Sequence, residues 1–313
     1  MNVIQPFSKI GQKDTAIAGG KGASLGEMSR AKIPVPPGFV IVAEAFDHFV
    51  AEAGIGNEIA SQLKSVNVRD THSVDSASEM IRSLFTRSLI PDSLSAKIVE
   101  AFDDLDAPLV AVRSSATAED GAVTSWAGEL ETYLYTTKNS LLDNVKKCWS
   151  SLYTPRAIFY RIEQELHETD VAVAVVVQKM VPSEVSGVCF TVHPVTKDPN
   201  QLIIEAGWGL GEAIVAGMIT PDSYVVDKTD GTILDTYISE QAIKIVRKPE
   251  GGTEEVSVNP EDRERQKLSN ERVVELAKLC QQIEQHYGSP QDIEWALADG
   301  KLWITQSRPI TTL

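Results

Sequence analysis

Apolar positions along the chain recur at two spacings, which predict both amphipathic helices and buried strands. The helical spacing covers about 43–53, 74–89, 139–152 and 270–287, and further helices are opened by Pro91 and Pro155. The predicted strands include near-continuous apolar runs at 109–112 and 171–177 and a shorter run at 186–191. A polar stretch at 249–265 is expected to be a flexible connection. Because helices and strands both occur and no internal repeat is seen, the expected fold class is α/β or α+β.

The last stretch of the chain, residues 291–309, predicts a β-hairpin. Two alternating runs flank Asp299-Gly300, a dipeptide that is a strong turn signal. In the first run, one face holds Ile293, Trp295 and Leu297, and the other holds Asp292, Glu294 and Ala296. In the second run, the residues expected on a common face are Leu302, Ile304, Gln306 and Arg308. The register between the two runs decides which polar side chains meet.

Two registers are possible for this hairpin. A three-residue loop places Glu294 opposite Gln306 and Asp292 opposite Arg308, whereas a strict two-residue turn places Ile293 opposite Gln306. In the first register, carboxylate and amide oxygens suit Mg²⁺, and the Arg308 guanidinium suits a forked contact with phosphate. The alternative is a solvated hairpin face with a structural Arg–Asp pair.

A second stretch with candidate chemistry is G-G-K-G at residues 19–22, which leads into a short helix that ends before Pro34. Glycines let the backbone approach a ligand, helix N-terminal amides favour anions, and Lys21 adds a positive charge. The spacing of a Walker phosphate-binding loop is absent, so this motif alone is weak evidence.

A third stretch begins where the predicted strand 109–112 ends at Arg113. An arginine at the end of an apolar strand must find an anion or stay hydrated. Hydroxyl donors follow it at Ser114, Ser115 and Thr117. One interpretation is a segment rich in Gly, Ser and Thr that folds over phosphates. The other is a surface loop in which Arg113 pairs with Glu119 or Asp120.

The run 171–177 leads into Gln178 and then Pro182, which suggests a strand that leaves the core as a hinge. The backbone amide and carbonyl groups of such a hinge could meet the edge of an adenine, with Gln178 beside them. The sequence alone gives this idea little further support.

The composition argues against some classes of binding partner. Lys and Arg number 29 and Asp and Glu 44, so the formal net charge is −15, which argues against non-specific binding to nucleic acid or anionic membranes. No apolar run reaches membrane-spanning length, and the N-terminus lacks the pattern of a signal peptide. We therefore expect a cytoplasmic protein. The three cysteines lack metal or redox spacing, so they are predicted to be reduced, packed thiols.

Several motifs occur in a fixed order over nearly the whole chain. They are Gly19-Gly20-Lys21-Gly22, V-R-S-S-A-T-A-E-D at 112–120, Gly209-Leu210-Gly211-Glu212, and Asp292-Ile293-Glu294-Trp295 with Gln306-Ser307-Arg308-Pro309. In these motifs the sequence resembles the N-terminal ATP-binding domain of phosphoenolpyruvate synthase, pyruvate phosphate dikinase and rifampicin phosphotransferase. That resemblance implies an ATP-grasp-like fold, in which two α/β lobes clamp the nucleotide. Residues 1–313 would form one such module, with approximate lobes 1–185 and 186–313.

The resemblance also implies roles at the phosphates of ATP. Lys21 and Arg113 would hold and polarise the phosphates and would be the catalytic residues. Gly128 and Thr132 would belong to the segment that covers the phosphates, and Arg308 would contact them as well. Phosphoryl transfer needs mainly positioning and charge neutralisation from a protein, and these residue types supply both.

For the rest of the ligand, the resemblance implies an adenine contact by Gln178 with the hinge backbone of Lys179 to Val181. The residues implied for Mg²⁺ are Glu294 and Gln306, with Asp292 close by. ATP and Mg²⁺ are therefore the expected cofactors.

The implied activity is transfer of the β,γ-diphosphoryl group, or of the β-phosphoryl group with release of phosphate, to a histidine, which leaves AMP. In the family this histidine lies on a swivelling domain outside the ATP-binding domain. Within this chain His193 is the least unlikely acceptor, and a structural role is the preferred interpretation for it. The expected partner is therefore a phosphohistidine-carrying domain or subunit.

The chain is accordingly expected to be either an excised domain or a separate subunit, an arrangement that the split phenylphosphate synthase permits within the family. Two other functions stay open. One is an ATP-sensing module that transfers nothing, and the other is a standalone ATP-dependent ligase or small-molecule kinase. Intact Lys21, Arg113, Glu294 and Gln306 favour the transferring enzyme, because a sensor has no need to neutralise charge that develops during transfer.

Overall fold

A computed structural model describes residues 3–117, 131–163, 172–249 and 251–311, and it combines helices with β-sheets, which confirms the predicted mixed α/β class. The chain divides into two compact units. They are Met1–Arg30 with Pro37–Met180, and Ala31–Pro36 with Val181–Leu313. The predicted lobes 1–185 and 186–313 stay a prediction. No helix in the described ranges combines the length and apolar character needed to cross a membrane.

The first unit is built on a five-stranded antiparallel sheet. Its strands are β1 (Ile4–Pro6), β2 (Gly38–Ile41), β3 (Val110–Ala116), β4 (Thr132–Thr136) and β5 (Val173–Lys179). Its helices are α1 (Thr15–Arg30), α2 (Ala43–Glu52), α3 (Gly56–Lys64), α4 (Thr71–Arg87), α5 (Asp92–Asp104), α6 (Leu141–Ser150) and α7 (Pro155–Glu163). The strand order is β1-β2-β5-β3-β4.

The two faces of this sheet are covered by different helices. One face, with Val112, Val175 and Val177, joins a core formed with α2–α7. Alternation along the strands turns Val40 and Val176 to the other face, where α1 packs. The central strand β5 is therefore buried on both faces, as its continuous apolar run predicts.

The second unit is built on a six-stranded antiparallel sheet of order β13-β12-β6-β7-β8-β9. Its strands are β6 (Val185–Phe190), β7 (Gln201–Trp208), β8 (Asp222–Asp227), β9 (Ile233–Tyr237), β12 (Gln291–Ala298) and β13 (Lys301–Pro309). A separate pair consists of β10 (Ile243–Arg247) and β11 (Thr253–Ser257). The helices are α8 (Glu212–Val215) and α9 (Asn270–Tyr287).

Helix α9 covers one face of the six-stranded sheet. Across four neighbouring strands, Ile293, Cys189, Ile204 and Tyr224 lie side by side, and all four are fully buried. The Cys189 thiol contacts Cys280 of α9, which identifies this row as the face that α9 covers. All three cysteines are free and buried, which confirms the prediction of packed thiols.

One predicted element is wrong. The stretch 249–265, predicted to be a flexible connection, contains β11, which pairs in regular register with β10. Its sequence T-E-E-V-S holds a single apolar residue, so hydrophobic alternation gives no strand signal there. Backbone pairing with β10 forms the strand instead.

A buried ion pair fixes the segment that leads into α9. The Lys267 Nζ lies 2.9 Å from the Asp222 Oδ1, and neither side chain is exposed. The Tyr224 hydroxyl and the backbone N–H groups of Ser239 and Lys267 donate hydrogen bonds to the same carboxylate. Burial of two charges is tolerated only where each is paired and hydrogen-bonded, and this network meets both conditions.

Candidate functional site

A break in α1 brings Lys21 beside strand β3. Gly19 has φ = 67° and ψ = 172°, a backbone conformation that glycine adopts without strain, and the helix continues after it. A Cβ at Gly19 would collide with the hydroxyl and the carbonyl group of Ser115 on β3. The glycine therefore lets α1 touch the backbone of β3, and Lys21 lies in the first turn after the break.

Ser115 fixes this close approach with two hydrogen bonds. Its hydroxyl donates to the Ala18 carbonyl oxygen at 2.9 Å and accepts from the Gly22 N–H at 3.2 Å. These two partners flank the break on either side, and Ser115 itself is fully buried. The sequence suggests Ser115 as a possible ligand donor, but in the structure its hydroxyl binds the backbone of α1 on both sides of the segment that contains Lys21.

Other residues predicted to contact the phosphates or the adenine project from the face of the five-stranded sheet on which α1 packs. Arg113 lies opposite Thr132 on β4 and opposite Val176 on β5. Gln178 is two residues beyond Val176, and Ser115 is two residues beyond Arg113, so alternation places all of them on the face where α1 lies. The predicted residues that this face brings together are Lys21, Arg113, Thr132 and Gln178.

The strand that carries Arg113 is longer than predicted. β3 continues to Ala116, so Arg113 lies inside the strand and is 8% exposed, whereas the sequence predicts it at the strand end. The small residues after Arg113 pair with β5 as a regular ladder, which the apolar pattern does not signal. Gln178 is also buried, at 3% exposure, and Thr132 is exposed.

The backbone N–H groups of the hinge after β5 make more hydrogen bonds within the protein than predicted. The Lys179 N–H donates to the Pro37 carbonyl at 2.8 Å, and the Met180 N–H donates to the Leu109 carbonyl at 3.1 Å. The Val181 N–H donates to no acceptor among the described residues. The predicted adenine contact by the hinge backbone stays a prediction, and the Lys179 and Met180 N–H groups already have backbone acceptors.

Three residues named in the predictions lie outside the residues that the structure describes. Gly128 lies outside the described residues, and so do Glu119 and Asp120, the alternative partners predicted for Arg113. The role predicted for Gly128 stays a prediction.

In the second unit, the final hairpin forms in the register that the sequence predicts for a metal and phosphate site. Glu294 lies directly opposite Gln306, and Asp292 lies directly opposite Arg308. All four side chains therefore project from the sheet face that α9 does not cover. Glu294 is half-buried, and Gln306 is 8% exposed.

The predicted three-residue loop of this hairpin is nevertheless wrong. Ala298 pairs with Lys301, which leaves a two-residue turn of Asp299 and Gly300. Their φ angles are 49° and 68°, and this left-handed pair matches the twist of the flanking strands. A two-residue turn on its own would give the other register.

A β-bulge after the turn restores the predicted register. Trp295 pairs with Ile304, and the next pair is Glu294 with Gln306, so Thr305 is the extra residue of the bulge. Ile304 consequently lies with Trp295 on the buried face, and Gln306 lies on the opposite face. The prediction that Ile304 and Gln306 share a face is wrong, because the bulge reverses the alternation.

Arg308 pairs with Asp292 across the ladder. Its Nε and Nη2 atoms lie 2.9 Å and 2.7 Å from the same Oδ2 oxygen. The Arg308 side chain is 49% exposed and that of Asp292 is 14% exposed. The structural Arg–Asp pair that the sequence leaves open is therefore present, and contact of Arg308 with phosphate stays a prediction.

Glu294 and Gln306 fit Mg²⁺ as a pair of oxygen ligands. The Cβ atoms of directly opposed residues lie about 4.5–5.5 Å apart, so both side chains can reach one ion. Within the described residues, no group of three His, Cys, Asp or Glu side chains is arranged to hold a metal. Mg²⁺ in nucleotide sites leans on one or two protein oxygens and completes its shell with water and phosphates, so two ligands suffice.

Comparison with known proteins assigns this arrangement to a family. Residues 15–313 match the family model described as pyruvate phosphate dikinase, AMP/ATP-binding domain. The chain belongs to this family. The matched range includes every residue predicted above for ATP or Mg²⁺, so the dikinase-type nucleotide-binding domain contains both sets of residues.

Individual relatives of the dikinase domain are longer proteins. The chain is 45% identical over 320 residues to a probable phosphoenolpyruvate synthase of Methanocaldococcus jannaschii, with 100% of this chain and 27% of the relative covered. For a probable phosphoenolpyruvate synthase of Archaeoglobus fulgidus, the identity is 46% over 313 residues, with 98% and 41% covered. For a rifampicin phosphotransferase of Bacillus subtilis, it is 37% over 315 residues, with 100% and 36% covered. The chain thus spans less than half the length of each.

A carboxylate that sequence analysis missed lies on the same face of this dikinase domain as Glu294. Glu205 on β7 lies opposite Val188, which in turn lies opposite Glu294. Burial raises the pKa of the Glu205 carboxyl above its usual 4.5, and the Asp292 carboxylate raises it further. The signal in the sequence was a single carboxylate within the apolar run L-I-I-E-A. Strand β6 lies between the strands that carry Glu205 and Glu294.

His193 has a structural role. Its Nδ1 atom accepts the backbone N–H groups of Val195 and Thr196, both at 3.2 Å. The imidazole therefore closes the turn that follows β6, which supports the structural interpretation of His193.

Proposed function

We propose that this chain is an ATP-grasp-like module that binds Mg·ATP and donates a phosphoryl group to a histidine carried by another domain or subunit. The observation that carries the proposal is the common sheet face of Arg113, Thr132 and Gln178, with Lys21 on the helix that packs there, in a chain of the AMP/ATP-binding dikinase family. The names of the phosphoenolpyruvate synthase and rifampicin phosphotransferase relatives support the transfer step.

The assigned roles follow from the chemistry of each side chain. Lys21 is a compact point charge at the start of a helical segment, which suits a phosphate oxygen. Arg113 presents a planar fork of donors from a buried position, where its charge is screened less than at the surface. Thr132 lies opposite Arg113 and adds a hydroxyl donor. Gln178 offers both a donor and an acceptor to the adenine.

Glu294 and Gln306 are assigned to the Mg²⁺ that accompanies ATP. When bound, the ion neutralises charge that develops on the transferred phosphates. The carboxylate supplies charge and the amide supplies a neutral oxygen, so the pair holds the cation without an excess of negative charge beside the triphosphate. Asp292 stays close by and is neutralised by Arg308.

The proposed reaction conserves every atom of the substrates. A nitrogen of the external histidine attacks the β-phosphorus, and the bond between this phosphorus and the oxygen bridging to the α-phosphate breaks. AMP leaves with that oxygen, and the histidine carries the β,γ-diphosphoryl group. Where water cleaves the β–γ linkage, inorganic phosphate is released and the histidine keeps the β-phosphoryl group.

Substitution of Lys21 tests the proposal. The full chain, K21A and the control K13A are incubated with Mg·ATP radiolabelled at the β-phosphate and with a histidine-bearing swivelling domain of the family. Lys13 is an exposed lysine just before α1, so its removal changes the net charge equally. Label on histidine and release of AMP are then measured beside ATP affinity.

We expect transfer by K21A to fall about a hundredfold or more, because Lys21 polarises the phosphates, while its ATP affinity falls less. K13A should behave like the parent chain. Undiminished transfer by K21A would remove the role of Lys21. Binding of ATP by the parent chain without any transfer would favour the ATP-sensing module.

A further inference from the structure

Arg82 on α4 is tied to a residue next to the predicted phosphate site. Its Nη2 atom lies 2.7 Å from the Glu131 Oε1 and 3.0 Å from the Glu131 Oε2. The Tyr133 hydroxyl donates a hydrogen bond to the same carboxylate. Burial raises the pKa of the Tyr133 hydroxyl, and the bond to Glu131 raises it further, so Tyr133 stays a proton donor. Glu131 is therefore held from two sides.

Glu131 in turn holds the start of β4 against β3. Its carbonyl oxygen accepts the Ser114 N–H at 3.1 Å and the Ser114 hydroxyl at 2.7 Å. Ser114 directly follows Arg113, and Glu131 directly precedes Thr132. The two hydrogen bonds consequently lie beside the Arg113–Thr132 pair and fix its register.

Arg82 acts from behind this pair and not within the ligand face. Tyr133 lies opposite Val112, whose side chain belongs to the core with α2–α7, and Arg82 reaches Glu131 from that side. Arg113 and Thr132 project from the other face, where α1 packs. Arg82 therefore contacts Glu131 on the side of the sheet opposite to the face from which Arg113 and Thr132 project.

We propose that Arg82 is a positioning residue for the phosphates of ATP: its ion pair with Glu131 keeps the start of β4 on β3, so that Arg113 and Thr132 stay aligned toward the ligand. This inference rests on the proposed function, because it assigns Arg113 and Thr132 to phosphate. Without Arg82, the Glu131 carboxylate keeps its charge, loses its counter-ion and turns toward water, which pulls the start of β4 away from Ser114.

The test compares four forms of the full chain: the parent, R82M, R82M/E131Q and R87M. Arg87 lies on the same helix, is exposed and bonds only the Ser83 carbonyl in the described residues, so R87M controls for the lost charge. Calorimetric titration gives affinities for Mg·ATP and for adenosine, which lacks phosphates. Hydrogen exchange at the Ser114 amide reports the β3–β4 contact directly.

We expect R82M to bind Mg·ATP about tenfold more weakly, while adenosine affinity stays within about twofold. The Ser114 amide should exchange faster in R82M. The double variant should regain most of the Mg·ATP affinity, because the neutral amide that E131Q introduces needs no counter-ion and still accepts the Tyr133 hydroxyl. R87M should match the parent.

Two results overturn the inference while the proposed function stands: R82M binds Mg·ATP as the parent does, or it loses ATP and adenosine affinity equally and E131Q restores nothing. The second pattern would mark Arg82 as a general structural contact. If the parent chain itself fails to bind Mg·ATP, the proposed function fails first and the inference falls with it.

Discussion

Glu294 lies directly opposite Gln306 because Thr305 adds one residue to β13 after a two-residue turn. The bulge also sorts the side chains of β13, since Ile304 is fully buried on the α9 face while Gln306 projects from the other face. A bulge next to a site re-aims a side chain at a small local cost. Here it places the two side chains that are proposed to bind Mg²⁺ opposite each other.

The Glu294–Gln306 pair predicts how ATP affinity depends on Mg²⁺. In E294Q, the gain in ATP affinity that Mg²⁺ produces should shrink about tenfold or more, because an amide binds a hard cation more weakly than a carboxylate. Titrations with ATP in the presence and absence of Mg²⁺ measure this gain. E254Q, on the exposed strand β11, is the matched control. An E294Q variant that keeps the full effect of Mg²⁺ would contradict the assignment.

Ser115 predicts a link between stability and ATP binding. S115A leaves the buried Gly22 N–H and Ala18 carbonyl without the hydroxyl, so the free energy of unfolding should fall by about 1–3 kcal/mol. Affinity for Mg·ATP should fall too, since Lys21 lies between these two contacts. Denaturant unfolding and calorimetry measure the two effects, with S95A as control, because the half-buried Ser95 makes a solvent-exposed hydrogen bond to the Asp92 carbonyl. Unchanged ATP affinity in S115A would show that the two hydrogen bonds of the Ser115 hydroxyl do not position Lys21.

The buried Asp222–Lys267 pair predicts a large loss of stability when the lysine is removed and the carboxylate remains. K267M leaves the Asp222 carboxylate buried without its counter-ion, and breaking such a pair costs about 3–5 kcal/mol. K278M removes an exposed lysine of α9 and should change little. Both are compared by denaturant unfolding. A cost below about 1 kcal/mol for K267M would mean that the network is not needed to hold the segment before α9.

Glu205 predicts a particular pH dependence. Its pKa is raised in the folded state by burial first and by Asp292 second, so the folded state binds the proton more tightly than the unfolded state. Stability should therefore fall as pH rises above the usual value of 4.5 and through the raised pKa. In E205Q that loss should vanish, and the variant should be more stable than the parent near neutral pH. The free energy of unfolding is measured from acidic to neutral pH, with E254Q as control. The same dependence on pH in E205Q and E254Q would refute this prediction.

The parts of the fold that follow local patterns could be predicted from the sequence. The apolar run of β5 indicates a central buried strand, and α9 ends at Tyr287 as its helical spacing predicts, directly before Gly288. Asp299-Gly300 marks the final turn. In each case neighbouring residues carry enough information, because burial on both faces, capping and turn geometry are local properties.

The parts of the fold that depend on contacts between residues distant in the sequence could not be predicted. The bulge at Thr305 leaves no hydrophobic signature, and the right register was therefore predicted from the wrong turn. Ser115 is one hydroxyl among several in the sequence, and only its contact with α1 distinguishes it. Arg82 and Glu131 are 49 positions apart, so no local spacing could pair them. Such features require the tertiary structure.

The most direct measurement of the central claim is calorimetric titration of the full chain with Mg·ATP, followed by analysis of the nucleotides in the same sample. Saturable binding with little AMP formed is the predicted result, because the proposed acceptor histidine belongs to another domain or subunit. No heat of binding would contradict the assignment of Lys21, Arg113, Glu294 and Gln306 to ATP and Mg²⁺. Prompt release of AMP and phosphate by the chain alone would contradict the need for an external histidine.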